Sequence, residues 1–306
     1  MGSQRPPTVL IVYYGPLNYN LAMIIDAHAH IFSPEIANSR DYYCSQDLCF
    51  GSLYSDRRAS LNQAEDLIRS MDDNEIERSV VLNIGWTRGD FCRRNNDYII
   101  ESVLKYPDRL IGFCSVQPRD GDKAVAELER CFKAGIRGVG EMRPDIQGYE
   151  LTDSGLISPI VSMIRQYSAV LSLHSSEPVG HEYAGKGAVT PNLLYRFIKN
   201  YPGINIILAH FGGGLPFYEL MPEVSIDLKN TYYDSAAAPF LYNSLVYQTI
   251  GKICGYHKVM FGSDWPLLDQ ARVIKHIDAG SLDYSARENI MYGNAARLFG
   301  FAIEEK

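Results

Sequence analysis

A short segment near the start of the chain carries three residues that could bind a metal ion. The apolar residues 23–25 predict a buried strand, and Asp26, His28 and His30 follow at a spacing of two. Because side chains alternate between the faces of a strand, these three share one face. Neutral imidazole nitrogen is a common ligand of divalent ions, so His28 and His30 predict a metal site. The alternative is a surface strand that carries two histidines.

Further ligand-type residues stand at the ends of later apolar runs. Glu141 is the last residue but one of IRGVGEM, His174 ends AVLSLH, His210 ends INIILAH and Asp264 ends KVMFGSD. Four of the seven histidines therefore fall at the ends of predicted strands. The other three are His181, His257 and His276. If the strands are parallel, the histidines and carboxylates at their ends converge, which favours a metal site over a surface pair.

Apolar runs and helical periodicities alternate along the chain. Strands are predicted at about 23–30, 79–84, 110–116, 136–142, 169–174, 204–210, 230–235 and 258–264. Helices are predicted at about 61–73, 95–106, 122–134, 154–167, 191–201, 241–254, 270–279 and 285–299. The polar stretch 31–60 has no clear periodicity and is too long for a plain connection, so we interpret it as a functional loop.

This alternation predicts an α/β protein with the (β/α)₈ TIM-barrel fold. Strands followed by helices form parallel sheets with right-handed crossovers, and eight such units match the size of a barrel. An open doubly wound sheet is the alternative, but it would carry a glycine-rich turn after the first strand, where this chain has HAHIFSPE. In a barrel, catalytic side chains lie at the C-terminal ends of the strands.

The charge and composition of the chain limit the kinds of partner that it could bind. The 306-residue chain has a net charge of −7 and no long basic run, so we expect neither nucleic acid nor anionic membrane as a partner. No apolar run reaches the roughly 20 residues of a membrane helix. Six scattered cysteines suggest free thiols in the cytoplasm. Prolines and glycines interrupt residues 1–22, which we interpret as a loosely attached extension before a single barrel domain at 23–306.

Five motifs carry a resemblance to a known family. They are DAHAHIF (26–32), LSLHSSEP (171–178), ILAHFGGG (207–214), FGSDWP (261–266) and NAARLFG (294–300). The chain resembles the amidohydrolase superfamily, in its branch similar to aminocarboxymuconate-semialdehyde decarboxylase. The resemblance implies a metal-dependent barrel with His28, His30, His174 and Asp264 as ligands. It also implies that Asp264 accepts a proton from water, and that His210 is either a second-metal ligand or a general acid/base.

Glu141 departs from the pattern of that branch, whose members hold one metal. Other superfamily branches place a bridging carboxylate on this strand, so Glu141 admits a two-metal site with His28, His30 and Asp264 on one side and His174 and His210 on the other. The alternative is that Glu141 pairs with Arg143 or binds substrate. The histidine-rich set suits zinc, and ligand type alone does not exclude manganese or iron.

Loop residues are weaker candidates. Arg143 has the two-pronged geometry that grips a substrate carboxylate. Three polar residues after the fifth strand are also candidates for substrate binding, namely Glu177, His181 and Lys186. Asp234 ends the seventh strand, from where it could orient a ligand histidine. Solvated loop positions are the alternative for each of them.

We therefore expect an enzyme that acts on a small molecule, and the resemblance suggests a homodimer. The favoured reaction is hydrolysis of an amide, ester or lactone by a metal-activated water, with Asp264 and His210 moving protons. The first alternative is non-oxidative decarboxylation of a small unsaturated or aromatic acid at the same site. The second is a catalytically inactive barrel that serves as a binding protein.

Overall fold

The computed structural model describes residues 23–302. Eight parallel strands pair in chain order and form a nearly closed barrel. The strands are β1 (Ile25–His30), β2 (Arg78–Leu82), β3 (Leu110–Cys114), β4 (Gly138–Met142), β5 (Val170–Leu173), β6 (Asn205–Leu208), β7 (Thr231–Asp234) and β8 (Val259–Met260). The predicted barrel is confirmed, whereas the predicted extension 1–22 lies outside the described residues.

Helices cover the outside of the barrel. Those of eight or more residues are Ala64–Asp73, Gly89–Lys105, Asp122–Lys133, Ser154–Gln166, Pro191–Asn200, Leu245–Cys254 and Gln270–Asp278. Shorter turns of helix are Pro118–Asp120, Pro144–Gln147, Ala209–Gly212, Leu215–Leu220, Pro222–Asp227, Ala238–Leu241, Tyr256–Lys258, Tyr284–Glu288, Asn289–Gly293 and Asn294–Phe299. Among residues 23–302, no helix has both the length and the apolar character that a membrane crossing needs.

The stretch 31–60 differs from its prediction as a loop. It forms three short helices, Pro34–Asn38, Arg40–Gln46 and Leu48–Tyr54, of which the first is capped by the side chain of Ser33 and the third by that of Asp47. Its buried aromatic residues pack with Trp86, whose ring stacks on Phe50 at 4.9 Å between centroids. These helices are too short to show a period, and tertiary packing of aromatic rings stabilises them.

The barrel closes between β1 and the segment that follows β8. Backbone hydrogen bonds run from the N–H of Ala27 to the carbonyl of Phe261 and from the N–H of His30 to that of Trp265. Asp26 reinforces this seam because its buried carboxylate accepts hydrogen bonds from Ser263 N at 2.9 Å, Ser263 Oγ at 2.5 Å and Gln270 Nε2 at 2.7 Å. Asp26 thus joins β1 to the end of β8 rather than serving a metal.

We predict that Asp26→Asn lowers the free energy of unfolding by about 1–3 kcal/mol, measured by urea denaturation. The amide that replaces the carboxylate would place an N–H donor opposite Gln270 Nε2, which is also a donor. Gln270 is held in this orientation because its Oε1 accepts a hydrogen bond from Ser70 Oγ. The matched control is Asp41→Asn, which breaks an exposed ion pair with Arg57 and should cost less than about 1 kcal/mol. Equal unfolding midpoints for the two variants would contradict the importance of the seam.

Candidate metal centre

Three buried side chains at the C-terminal mouth of the barrel form a first group of metal-ligand atoms. The Nε2 atoms of His28 and His30 lie 3.0 Å apart. Asp264 Oδ1 lies 3.7 Å from His28 Nε2 and 3.6 Å from His30 Nε2. We call His28, His30 and Asp264 the first group.

Hydrogen bonds on the far side of each imidazole determine which nitrogen carries the proton. His28 Nδ1 lies 2.9 Å from Asp234 Oδ2, and His30 Nδ1 lies 3.1 Å from the carbonyl oxygen of Leu82. Both partners can only accept, so each Nδ1 donates and each Nε2 of a neutral ring presents a lone pair. The first group therefore consists of facing acceptors, an arrangement that a divalent cation satisfies.

A second group lies beside the first and contains Glu141, His174 and His210. His174 Nδ1 donates to Glu141 Oε1 at 3.0 Å, while His174 Nε2 lies 3.3 Å from Ser176 Oγ. His210 Nδ1 donates to the carbonyl of Ala236 at 2.9 Å, which leaves its Nε2 facing Glu141 Oε1 at 3.6 Å. Protons can satisfy every contact of this second group without a cation.

Glu141 connects the two groups. Its Oε1 contacts the imidazoles of the second group, and its Oε2 lies 3.9 Å from the Nε2 atoms of both His28 and His30. The structure thus brings all six predicted ligands together, but it places His174 with Glu141 and His210 rather than with the first group.

Burial and charge shift the pKa values in opposite directions. Burial alone would lower the pKa of His28, but the carboxylates of Asp234, Glu141 and Asp264 raise it to about 10. Burial and the neighbouring His28 lower the pKa of His30. The carboxylates therefore create a negative potential at the centre, which favours a bound cation.

The second group also shows opposed effects. Burial would raise the pKa of Glu141, but His174 and His210 hold it well below its usual range. Burial would lower the pKa of His210, but Glu141 raises it to about 9. In the absence of a metal, His210 is thus a proton-carrying group paired with a carboxylate.

Unusual backbone conformations aim two of these side chains. His210 and Asp264 have φ of 56° and 65°, in the left-handed region that ordinary residues avoid. Tertiary hydrogen bonds hold both residues in place. The N–H of His210 donates to Asp234 Oδ1 at 3.1 Å, and the N–H of Asp264 donates to the carbonyl of His28 at 2.9 Å. Gly262 leaves room for this, since a Cβ there would lie 2.9 Å from His28 Cβ and 3.1 Å from Asp234 Cβ.

The weaker candidates divide into two sets. Asp234 lies behind His28, and Arg143 is buried next to the second group. Glu177 instead accepts hydrogen bonds from the hydroxyls of Tyr183 and Tyr242. Lys186 donates to the carbonyl of His181 and to Glu182 within its own loop, and His181 is exposed. These loop contacts give no sign of a ligand site at His181 or Lys186.

Sequence analysis missed Tyr54. This nearly buried residue ends the helix Leu48–Tyr54, and burial together with the charges of Asp264 and Glu141 raises the pKa of its hydroxyl well above its usual value. Its ring contacts Phe32, two residues after His30, and also Phe50, which stacks on Trp86. No periodicity in 31–60 could have indicated this position.

The sequence matches the profile of the amidohydrolase family over residues 25–301. The chain therefore belongs to that family, which confirms the resemblance. A gamma-resorcylate decarboxylase of Rhodococcus jostii is 24% identical over 326 residues, covering 88% of this chain and 96% of the relative. A 2-amino-3-carboxymuconate-6-semialdehyde decarboxylase of Dictyostelium discoideum is 22% identical and covers 90% and 91%.

The solved structures agree in fold. A 5-carboxyvanillate decarboxylase of Novosphingobium aromaticivorans, with bound manganese and 3-methoxy-4-hydroxy-5-nitrobenzoic acid, superposes with a TM-score of 0.75 at 19% identity, covering 92% of this chain and 97% of that one. The protein is thus an enzyme whose site fits a divalent metal. The expected hydrolysis of an amide, ester or lactone is wrong, because these relatives are decarboxylases, and the decarboxylase alternative is better supported.

We predict that Asp234→Asn weakens metal binding by about 10–100-fold. The two backbone N–H groups of His210 and Ala236 bind Asp234 Oδ1, so the new amide nitrogen would face His28 Nδ1. That contact moves the imidazole proton to Nε2, the atom that faces the metal. Manganese titration with a competing chelator measures the change.

Asp227→Asn is the matched control, because Asp227 binds the hydroxyl of Tyr195 away from the metal centre. Unchanged manganese affinity in a folded Asp234→Asn variant would contradict the orienting role.

Proposed function

We propose that this protein is a metal-dependent decarboxylase of a small unsaturated or aromatic carboxylic acid. The main support is that the first group, whose inward Nε2 atoms and carboxylate suit a divalent cation, lies beside His210, whose Nε2 also faces the centre. The family and the decarboxylase relatives support the same reaction.

The resident ion would be held by His28, His30 and Asp264. When bound, a divalent ion supplies positive charge that holds the carboxylate and an adjacent oxygen of the acid. Two imidazoles and a carboxylate suit zinc, and they also suit the manganese that one relative's structure contains.

His210 is proposed as the proton donor. The carboxylate carbon separates from its neighbour as carbon dioxide, and the electron pair of the broken bond stays on the neighbouring carbon. His210 Nε2 delivers the proton that forms the new C–H bond, and the imidazole regains a proton from water. The hydrogen bond from His210 Nδ1 to the carbonyl of Ala236 keeps Nε2 aimed at the centre.

Glu141 is proposed to serve this proton transfer. Its carboxylate fixes His174 and holds a positive imidazole at His210. Its proximity to the first group also leaves open a role as an additional ligand, which metal content can test.

We predict carbon dioxide release from a panel of aromatic and dienoic acids by the manganese-loaded enzyme. In D₂O the product should carry one deuterium at the carbon that lost the carboxylate. His210→Asn should lower kcat by about 10²–10⁴-fold, since it removes the proton donor.

The control for that experiment is His257→Asn, because His257 is exposed and precedes β8, at the end of the barrel opposite the metal centre. Carbon dioxide release that is equally fast in His210→Asn would contradict its role. A metal-replete enzyme that releases no carbon dioxide from any acid of the panel would contradict the proposed function.

We predict one tightly held divalent ion per chain, measured by elemental analysis of purified, unchelated protein. Asp264→Asn should lose the ion because it removes the anionic ligand of the first group, whereas Glu141→Gln should retain it. Two ions in the parent protein, falling to one or none in Glu141→Gln, would contradict this and assign a bridging role to Glu141.

A further inference from the structure

Arg143 is a buried cation, and several N–H groups of its guanidinium have no acceptor among the described residues. Its side chain follows β4, and the residue is 3% exposed. Nη2 donates to the carbonyl of Gly185 at 2.9 Å, but Nε and Nη1 have no hydrogen-bond partner among residues 23–302. Within the same residues, Asp145 supplies the one carboxylate within 4.0 Å, at 3.9 Å from Nη2. That carboxylate already accepts from the N–H of Ala188.

Neighbouring residues hold the backbone and Cβ of Arg143 in place. Gln147 Oε1 accepts from the N–H of Arg143 at 2.9 Å, and the backbone at Gly85 packs so closely that a Cβ there would lie 2.9 Å from Arg143 Cβ. Gly187 links the guanidinium to His174: a Cβ at Gly187 would lie 3.1 Å from Arg143 Nη2, and its N–H donates at 2.9 Å to Ser176 Oγ, which lies 3.3 Å from His174 Nε2. The guanidinium therefore lies on the His174 side of the site.

A buried guanidinium with unpaired donors indicates a binding site for a ligand. A guanidinium stays charged at any ordinary pH, and burying it with unmet donors is costly. Nε and Nη1 carry three N–H groups between them, and Nη2 has one more beyond its bond to Gly185. A carboxylate matches this planar set of donors better than a neutral group or a single-atom anion does.

We propose that Arg143 binds a second carboxylate of the substrate, one that is not lost, so that the substrate is a dicarboxylic acid. This rests on the proposed decarboxylase function. A strong ion pair to the departing carboxylate would stabilise the ground state more than the transition state, because that group loses its negative charge as the bond breaks. A carboxylate that keeps its charge can remain bound to Arg143 throughout the reaction.

Entry of this carboxylate requires the segment 175–190 to move away from Arg143. The segment contains neither helix nor strand. Gly187 lies close above the guanidinium, since a Cβ there would lie 3.1 Å from Nη2. Ligand binding at Arg143 would therefore involve the loop that covers it.

The test compares ligands that differ by one carboxylate. Calorimetry with the manganese-loaded protein measures the binding of benzoate and of phthalate, isophthalate and terephthalate. We expect at least one dicarboxylate to bind about tenfold or more tightly than benzoate, as a charge-assisted pair provides. Arg143→Met should abolish that preference, measured as the ratio of the two affinities, whereas Arg143→Lys should retain part of it.

Arg165→Met is the matched control, because Arg165 is exposed and bonds the carbonyl of Pro202. A preference that survives in Arg143→Met, or the lack of any preference in the parent protein, would overturn the proposal. Should Arg143→Met not fold, the binding measurements on Arg143→Lys provide the test. Full retention of the dicarboxylate preference in Arg143→Lys would overturn the proposed two-pronged contact between guanidinium and carboxylate. Binding needs no turnover, so a dicarboxylate preference without carbon dioxide release would refute the proposed function and keep only the carboxylate contact at Arg143.

Discussion

The carboxylate of Asp234 is the contact on which the catalytic centre depends. From the end of β7 it binds the imidazole of His28 at the end of β1 and the backbone N–H of His210 after β6. One buried carboxylate thereby fixes the tautomer of a ligand histidine and the backbone of the proposed proton donor. It also compensates for the left-handed conformation of His210, which would otherwise destabilise the chain. The strand that carries it contains tyrosines where most of the other strands carry aliphatic residues.

The sequence predicted the barrel and the convergence of its histidines for a simple reason. Buried parallel strands are apolar runs, and the C-terminal ends of all eight meet at one mouth whatever the details of packing. His28, His30, His174 and His210 therefore had to lie near each other. Their grouping could not be predicted in the same way, because it depends on which imidazole nitrogen faces inward. For His174 that choice is made by Ser176 and Glu141, whose side chains meet it only in the folded protein. The helices within 31–60 escaped prediction because aromatic packing against Trp86, rather than local periodicity, stabilises them.

The wrong reaction was predicted for a related reason. Hydrolysis was favoured, and Glu141 admitted a two-metal site because a carboxylate at that place can bridge two metals. In the structure its Oε1 lies between two imidazoles that can donate to it, so a carboxylate there is satisfied without a second ion. The same ligands can serve hydrolysis or carbon–carbon cleavage, since both need positive charge near a substrate oxygen and a positioned proton. Ligand motifs therefore define the family and leave the reaction undetermined.

Charged groups other than the metal ligands are what distinguish a site for decarboxylation from a site for hydrolysis. Loss of carbon dioxide leaves an electron pair on carbon, so the enzyme benefits from positive groups that act on charge retained through the reaction. Arg143 lies on the His174 side of the second group, within a barrel mouth that is otherwise rich in carboxylates. A buried guanidinium with unmet donors lowers the stability of the free protein, and such a cost is typical of a site arranged for its ligand rather than for folding. An acid that spans the metal centre and Arg143 would meet both positive groups at once, and its orientation would decide which carboxylate is placed for cleavage.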